Sequence, residues 1–159
     1  MKIDVTNLQD VVRVNRVALR RAARAALGDL MGCYSIVLVD DEQMREVNRK
    51  HLSRDGTTDV IAFPFEGAPL SKDDCAGEII ICADVAASEA RGRGLQVEAE
   101  LALYVVHGAL HLAGFDDLTR GGAAEMHRRE KEILAGLGYE VAGLWKPLGA
   151  ARSRRRERS

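Results

Sequence analysis

Aromatic side chains are scarce in this chain of 159 residues: one tryptophan, three tyrosines and three phenylalanines. Its core must therefore be filled by aliphatic and alanine side chains, which the 47% apolar composition supplies. Cysteine is sparse too. Cys33, Cys75 and Cys82 are odd in number and lack CxxC spacing, which argues against a disulfide framework and against thiolate zinc sites of that pattern. They are expected to be reduced core thiols, Cys33 and Cys82 lying beside runs that read as buried strands. No apolar run reaches the roughly 18 residues of a membrane span, and the opening MKIDVTNLQD has neither the basic start nor the apolar stretch of a secretory signal. A cytoplasmic location is the expectation.

Charge is nearly balanced at −1, but unevenly spread. The last nine residues, ARSRRRERS, carry a net +4, which leaves −5 on residues 1–150. Such a tail attracts phosphate backbones without reading sequence, and it equally suits a solvated, disordered end. The length fits one domain, expected over residues 1–148, with 149–159 as the basic tail.

Hydrophobic periodicity lays out the elements. Ile3 and Val5 mark a short strand. A long helix is expected over residues 8–30, with Val12, Leu19, Ala23, Ala26 and Leu30 inward. Its other side carries Arg13, Arg16, Arg20, Arg21 and Arg24, read as a solvated basic face. Residues 34–39 (YSIVLV) form a strand, and Asp40 with Gln43 resembles a capping box opening a helix to about residue 51. Residues 59–63 and 78–82 are further strands, Pro64 ending the first, and Asp84 is expected to cap the helix after the second. Helices follow over about 97–113 and 119–137, and Trp145 and Pro147 close the domain. Early strands and late helices indicate an α+β fold with a small mixed sheet packed by helices.

The chemistry concentrates in HGALHLAGFDD. His107 and His111 are one helical turn apart on one face, so two imidazole nitrogens can reach one ion. Gly114 allows the positive φ of a sharp turn, and Asp117 can return as a third ligand, leaving a position open for water or substrate. Offsets of four, seven and ten from His107 are those of the metzincin pattern HExxHxxGxxH. The glutamate that serves metzincins as base is absent, its place taken by Gly108.

This segment closely resembles the signature of the YbeY family of bacterial endoribonucleases, HGxLHLxGYDH. TTDVIAFPFE resembles that family's TDVLSFPFE block and GEIIIC its LGDIxIC strand, in the same order and spacing. The resemblance spans roughly residues 34–140. It implies a zincin-like single domain with one zinc ion on a helix-turn segment and cleavage of single-stranded RNA. It further implies a part in ribosomal RNA maturation, at the 3′ end of the small-subunit RNA, and in ribosome quality control. His107 and His111 match the first two family ligands, and Asp117 occupies the third histidine's place. Aspartate can ligate zinc, and it shifts the site towards harder ions such as manganese. The family's upstream arginine is replaced by Leu52, and its tyrosine by His51.

The expected mechanism is hydrolysis of an RNA backbone assisted by one divalent ion, zinc by the resemblance. Arg54 and Arg49 are candidates for stabilising phosphate charge, Asp116 and Glu78 for the base. Asp59 is expected to be a hydrogen-bonding turn residue and His127 to lie outside the site. Two competing readings are a non-catalytic ribosome-associated factor braced by a structural metal, and a hydrolase of another substrate.

Overall fold

The computed structural model describes residues 1–144. Trp145, Pro147 and the arginine tail, and with them the expected domain boundary, lie outside the described residues. Among the described residues, four strands and five helices follow the order β1 (Lys2–Asn7), α1 (Arg16–Leu27), β2 (Cys33–Val39), α2 (Asp41–Leu52), β3 (Val60–Pro64), β4 (Cys75–Cys82), α3 (Ala83–Arg93), α4 (Val97–Leu112) and α5 (Arg120–Gly136). The strands form one sheet in the order β1-β2-β4-β3, with β1, β2 and β4 parallel and β3 antiparallel at the edge. This is the expected α+β architecture. No helix among the described residues is long and apolar enough to cross a membrane.

Strand alternation divides the core. Ile79 and Ile81 of β4, with Tyr34, Ile36 and Leu38 of β2, face one cluster shared with α1, α4 and α5. Ile80 and Cys82, with Val37 and Val39, face a smaller cluster closed by Met44 and Val47 of α2. Helix α4 is the centre of the larger layer. Twelve of its sixteen residues are buried, as its near-continuous apolar sequence requires.

The Asp40–Gln43 capping box is present in both directions, Gln43 N–H donating to Asp40 Oδ1 and Asp40 N–H to Gln43 Oε1, each at 2.8 Å. Helix α1 corrects the expectation of a helix from residue 8. Residues 8–15 are held off the helical path because Gln9 bonds Asn7 and both backbone groups of Val12, and Asn15 caps Ala18 N–H at 3.1 Å. Leu8 consequently stands exposed, and Leu30 is exposed at the other end because the helix stops at Leu27, capped by Gly28, short of the expected residue 30. The basic face is also only partly solvated. Arg16 donates to Val5 O and Arg20 to Ile3 O, filling acceptors on the open edge of β1. Asp84 does not cap its own helix, whose N-cap is Cys82. It accepts instead from Asp41 N–H at 2.6 Å, tying the start of α2 to α3.

Of the thiols, only Cys82 is a core residue, and burial pushes its pKa up; Cys33, at the start of β2, is half-buried and Cys75, at the start of β4, is exposed. The larger cluster also contains ions. Arg93 pairs with Glu100 and with Glu89 at 3.2 Å, and donates to Leu144 O at 2.8 Å. Burial pushes the Glu100 carboxyl up, opposed by the Arg93 charge and a hydrogen bond with Tyr104. A carboxyl raised in the folded state holds its proton more tightly there than in the unfolded chain. Its contribution to stability is therefore present at acid pH and declines as pH rises from the ordinary glutamate range through the raised value. Glu100→Gln should remove that decline, so that the stability of wild type relative to the variant falls as pH rises above the ordinary glutamate range in urea titrations. A pH-independent difference would refute the assignment.

Candidate metal centre

Helix α4 ends in a Schellman motif. Gly114 takes φ +99°, its N–H donates to His111 O at 3.1 Å, and Phe115 N–H donates to Leu110 O at 3.0 Å. Phe115 packs against the core and so fixes the turn. The next residues cap α5: Asp116 Oδ1 accepts from Leu118 N–H at 3.1 Å, and Thr119 Oγ1 accepts from Gly122 N–H at 3.0 Å. Between these two anchored turns Asp117 is carried back to the histidine face.

His107, His111 and Asp117 each offer one ligand atom, all within 4.8 Å of one another, a grouping that could hold a metal ion. The Nε2 atoms of the two histidines are 3.1 Å apart. Asp117 Oδ2 is 3.9 Å from Nε2 of His107 and Oδ1 is 3.8 Å from Nε2 of His111. His107 is nearly buried, while His111 and Asp117 retain partial exposure, so the cluster opens on one side.

The far nitrogens decide what the near ones can do. His107 Nδ1 lies 2.7 Å from Glu130 Oε1, and His111 Nδ1 lies 3.1 Å from Phe115 O. A carboxylate and a carbonyl only accept, so each Nδ1 carries a proton, and each ring in its neutral form presents an Nε2 lone pair inwards. Two facing lone pairs repel at 3.1 Å, and a cation between them reverses the sign. Tetrahedral coordination at about 2.0–2.1 Å would set two nitrogens about 3.3 Å apart, close to the separation present. The donor set fits a divalent ion.

Other expected site residues are placed differently. Asp116 is exposed beside Asp117, with one oxygen engaged in the turn. Glu78 shares the sheet face of Ile80, turned away from α4, because β4 presents Ile79 and Ile81 to that helix. Arg49 is exposed on α2, on the opposite side of the sheet from α4, and Arg54 is exposed in the turn after α2. Asp59 bonds Val60 N–H at 2.8 Å at the start of β3, as expected. His51 meets the Phe63 ring, centroids 5.6 Å apart. His127 is half-exposed and its Nδ1 is 3.8 Å from Glu130 Oε2. Glu130 itself was not anticipated. It is 1% exposed on the inward face of α5 with Met126, Ile133 and Leu134, and an acid on that apolar stripe is the signal that would have found it.

This chain is similar to several known proteins. The solution structure of TM1509 from Thermotoga maritima covers 99% of this chain and 96% of its own, with a TM-score of 0.58 and 26% identity. Endoribonuclease YbeY of Methylococcus capsulatus is 41% identical over 126 residues, 77% of this chain and 82% of that protein. The enzyme of the same name from Hydrogenovibrio crunogenus is 40% identical over 111 residues, 67% of this chain and 69% of that one. A family model described as Endoribonuclease YbeY matches residues 3–138, a span that takes in all but the first residue of the strands and helices described and the whole histidine–aspartate cluster. The chain belongs to the YbeY family.

Proposed function

We propose that this protein is a metal-dependent endoribonuclease that cleaves single-stranded RNA and acts in ribosomal RNA maturation, at the 3′ end of the small-subunit RNA, and in ribosome quality control. The observation that carries the proposal is the convergence of the two Nε2 atoms and the Asp117 carboxylate on one opening, within a chain of this family. His107, His111 and Asp117 would hold one divalent ion, zinc. Bound there, it supplies Lewis-acid chemistry, acidifying water and polarising a phosphoryl oxygen.

The chain's own groups do the rest. Asp117 would neutralise part of the ion's charge, and the Nδ1 contacts of the two histidines with Glu130 and with Phe115 O orient the rings with Nε2 inwards. Asp116, exposed beside the cluster, offers Oδ2 as proton acceptor. The Arg54 guanidinium is the candidate to stabilise phosphate charge. The remaining members of the proposal are a cytoplasmic setting and the small subunit as partner, with the arginine-rich tail adding nonspecific attraction to RNA.

The test is to incubate metal-stripped and reloaded protein with single-stranded RNA, a casein-type protein and a simple phosphoester. Cleavage of RNA alone, abolished by chelator and restored by zinc, is expected. Undiminished RNA cleavage after complete metal removal, or cleavage of casein alone, overturns the proposal.

A further inference from the structure

The geometry points to Glu130 as the positioning residue of the metal centre: from α5 it fixes the ring and tautomer of His107, and so sets how tightly the ion is held. This inference rests on reading His107, His111 and Asp117 as a metal site. The carboxylate is 1% exposed and its Oε1 lies 2.7 Å from His107 Nδ1. A buried carboxylate is costly unless paired, so its place on the apolar stripe of α5 needs a reason. The His107 bond provides one. An acceptor at Nδ1 forces the proton onto that atom, leaves Nε2 as a lone-pair donor, and its negative charge makes the imidazole a stronger base towards a cation.

The two ligand histidines are held by partners of different strength. His111 relies on a neutral carbonyl at 3.1 Å within its own turn, whereas His107 relies on an ionisable group from a separate helix at a shorter distance. Helix α5 thereby enters the metal site without supplying a ligand. Glu130 Oε2 lies 3.8 Å from Nδ1 of half-exposed His127, beyond hydrogen-bond distance, so His107 is the closer imidazole partner of the carboxylate.

The test is a zinc titration of the metal-stripped full chain against a competing chromophoric chelator, for wild type, Glu130→Gln, Glu130→Ala and His111→Ala. Thermal unfolding of each metal-free protein is followed in parallel. Gln keeps an acceptor for Nδ1–H but not the charge, and Ala keeps neither. Affinity should therefore fall in the order Glu, Gln, Ala, with the Ala variant weakened about 10–100-fold. The visible absorption of the cobalt-loaded protein should also change in the Ala variant and be largely recovered in the Gln variant. A merely structural Glu130 would lower the unfolding temperature and leave the zinc affinity of the folded protein unchanged. Wild-type affinity in both Glu130 variants, alongside lost binding in His111→Ala, would overturn the inference while sparing the metal site. Wild-type affinity in His111→Ala would overturn the site reading, and this inference with it.

Discussion

Alanine at position 111 should abolish zinc binding and RNA cleavage together while leaving the fold in place. The magnitude follows from comparison. Loss of an outer partner of a ligating histidine costs about 10–100-fold in affinity or activity, so loss of the ligand itself should cost more than about 100-fold. His111 suits the experiment better than His107. Its side chain is 28% exposed and its Nδ1 partner is the Phe115 carbonyl, already placed by a turn with its own backbone hydrogen bonds. Removing the ring therefore leaves an acceptor that water can reach. Removing His107 would instead strip Glu130 of a 2.7 Å partner within the core, so lost activity and lost folding would be confounded. His111→Ala should unfold within about 1 kcal/mol of wild type in the metal-free state. Full RNA cleavage by that variant, purified free of contaminating nuclease, would dismantle the site. Asp117→His is the complementary change, and it should retain zinc binding because it restores the ligand type expected at this place in the family signature.

Much of this centre was legible in the sequence because it is built from local rules. Helical spacing places His107 over His111, a positive-φ glycine turns the chain, and a two-turn linker returns Asp117. The capping box at Asp40 is likewise local, and it appears as read. What escaped was set by partners distant in sequence. Apolar spacing from Leu8 to Val12 imitates a helix, yet Gln9 satisfies the backbone of a loop there, and the helix waits for the Asn15 cap. The arginines of α1 looked like a solvated face until β1 ran alongside and offered Ile3 and Val5 carbonyls. Glu130 and Glu100 are acids on helix faces that pattern alone assigns to the core, and only tertiary structure shows the His107 and Arg93 that hold them. Glu78 escaped differently: alternation along β4 was readable, but which face α4 would cover was not.

Restoring the metzincin glutamate, by Gly108→Glu, should destroy the fold rather than create a peptidase. A Cβ at residue 108 would stand 2.7 Å from Ile79 Cγ2, 3.3 Å from its Cγ1 and 3.4 Å from Val60 Cγ2. These atoms belong to β4 and β3, so position 108 is a point of close contact between the helix bearing both histidines and the sheet. Gly108→Ala already forces overpacking, costing about 1–3 kcal/mol, less the roughly 1 kcal/mol that alanine contributes to helix propensity. Glutamate adds four more heavy atoms beyond a buried Cβ and a charge without a counter-ion. That penalty is several kcal/mol, comparable with the about 5–15 kcal/mol that holds a small domain together. Gly108→Ala should therefore fold with a modestly lowered denaturation midpoint and unchanged zinc stoichiometry, and Gly108→Glu should be insoluble or lack a cooperative transition. A Gly108→Glu protein that melts at the wild-type temperature would show that the sheet can retreat from α4. With the contact as tight as it is, the residue that sets the helix against the sheet is incompatible with the side chain a metzincin places there.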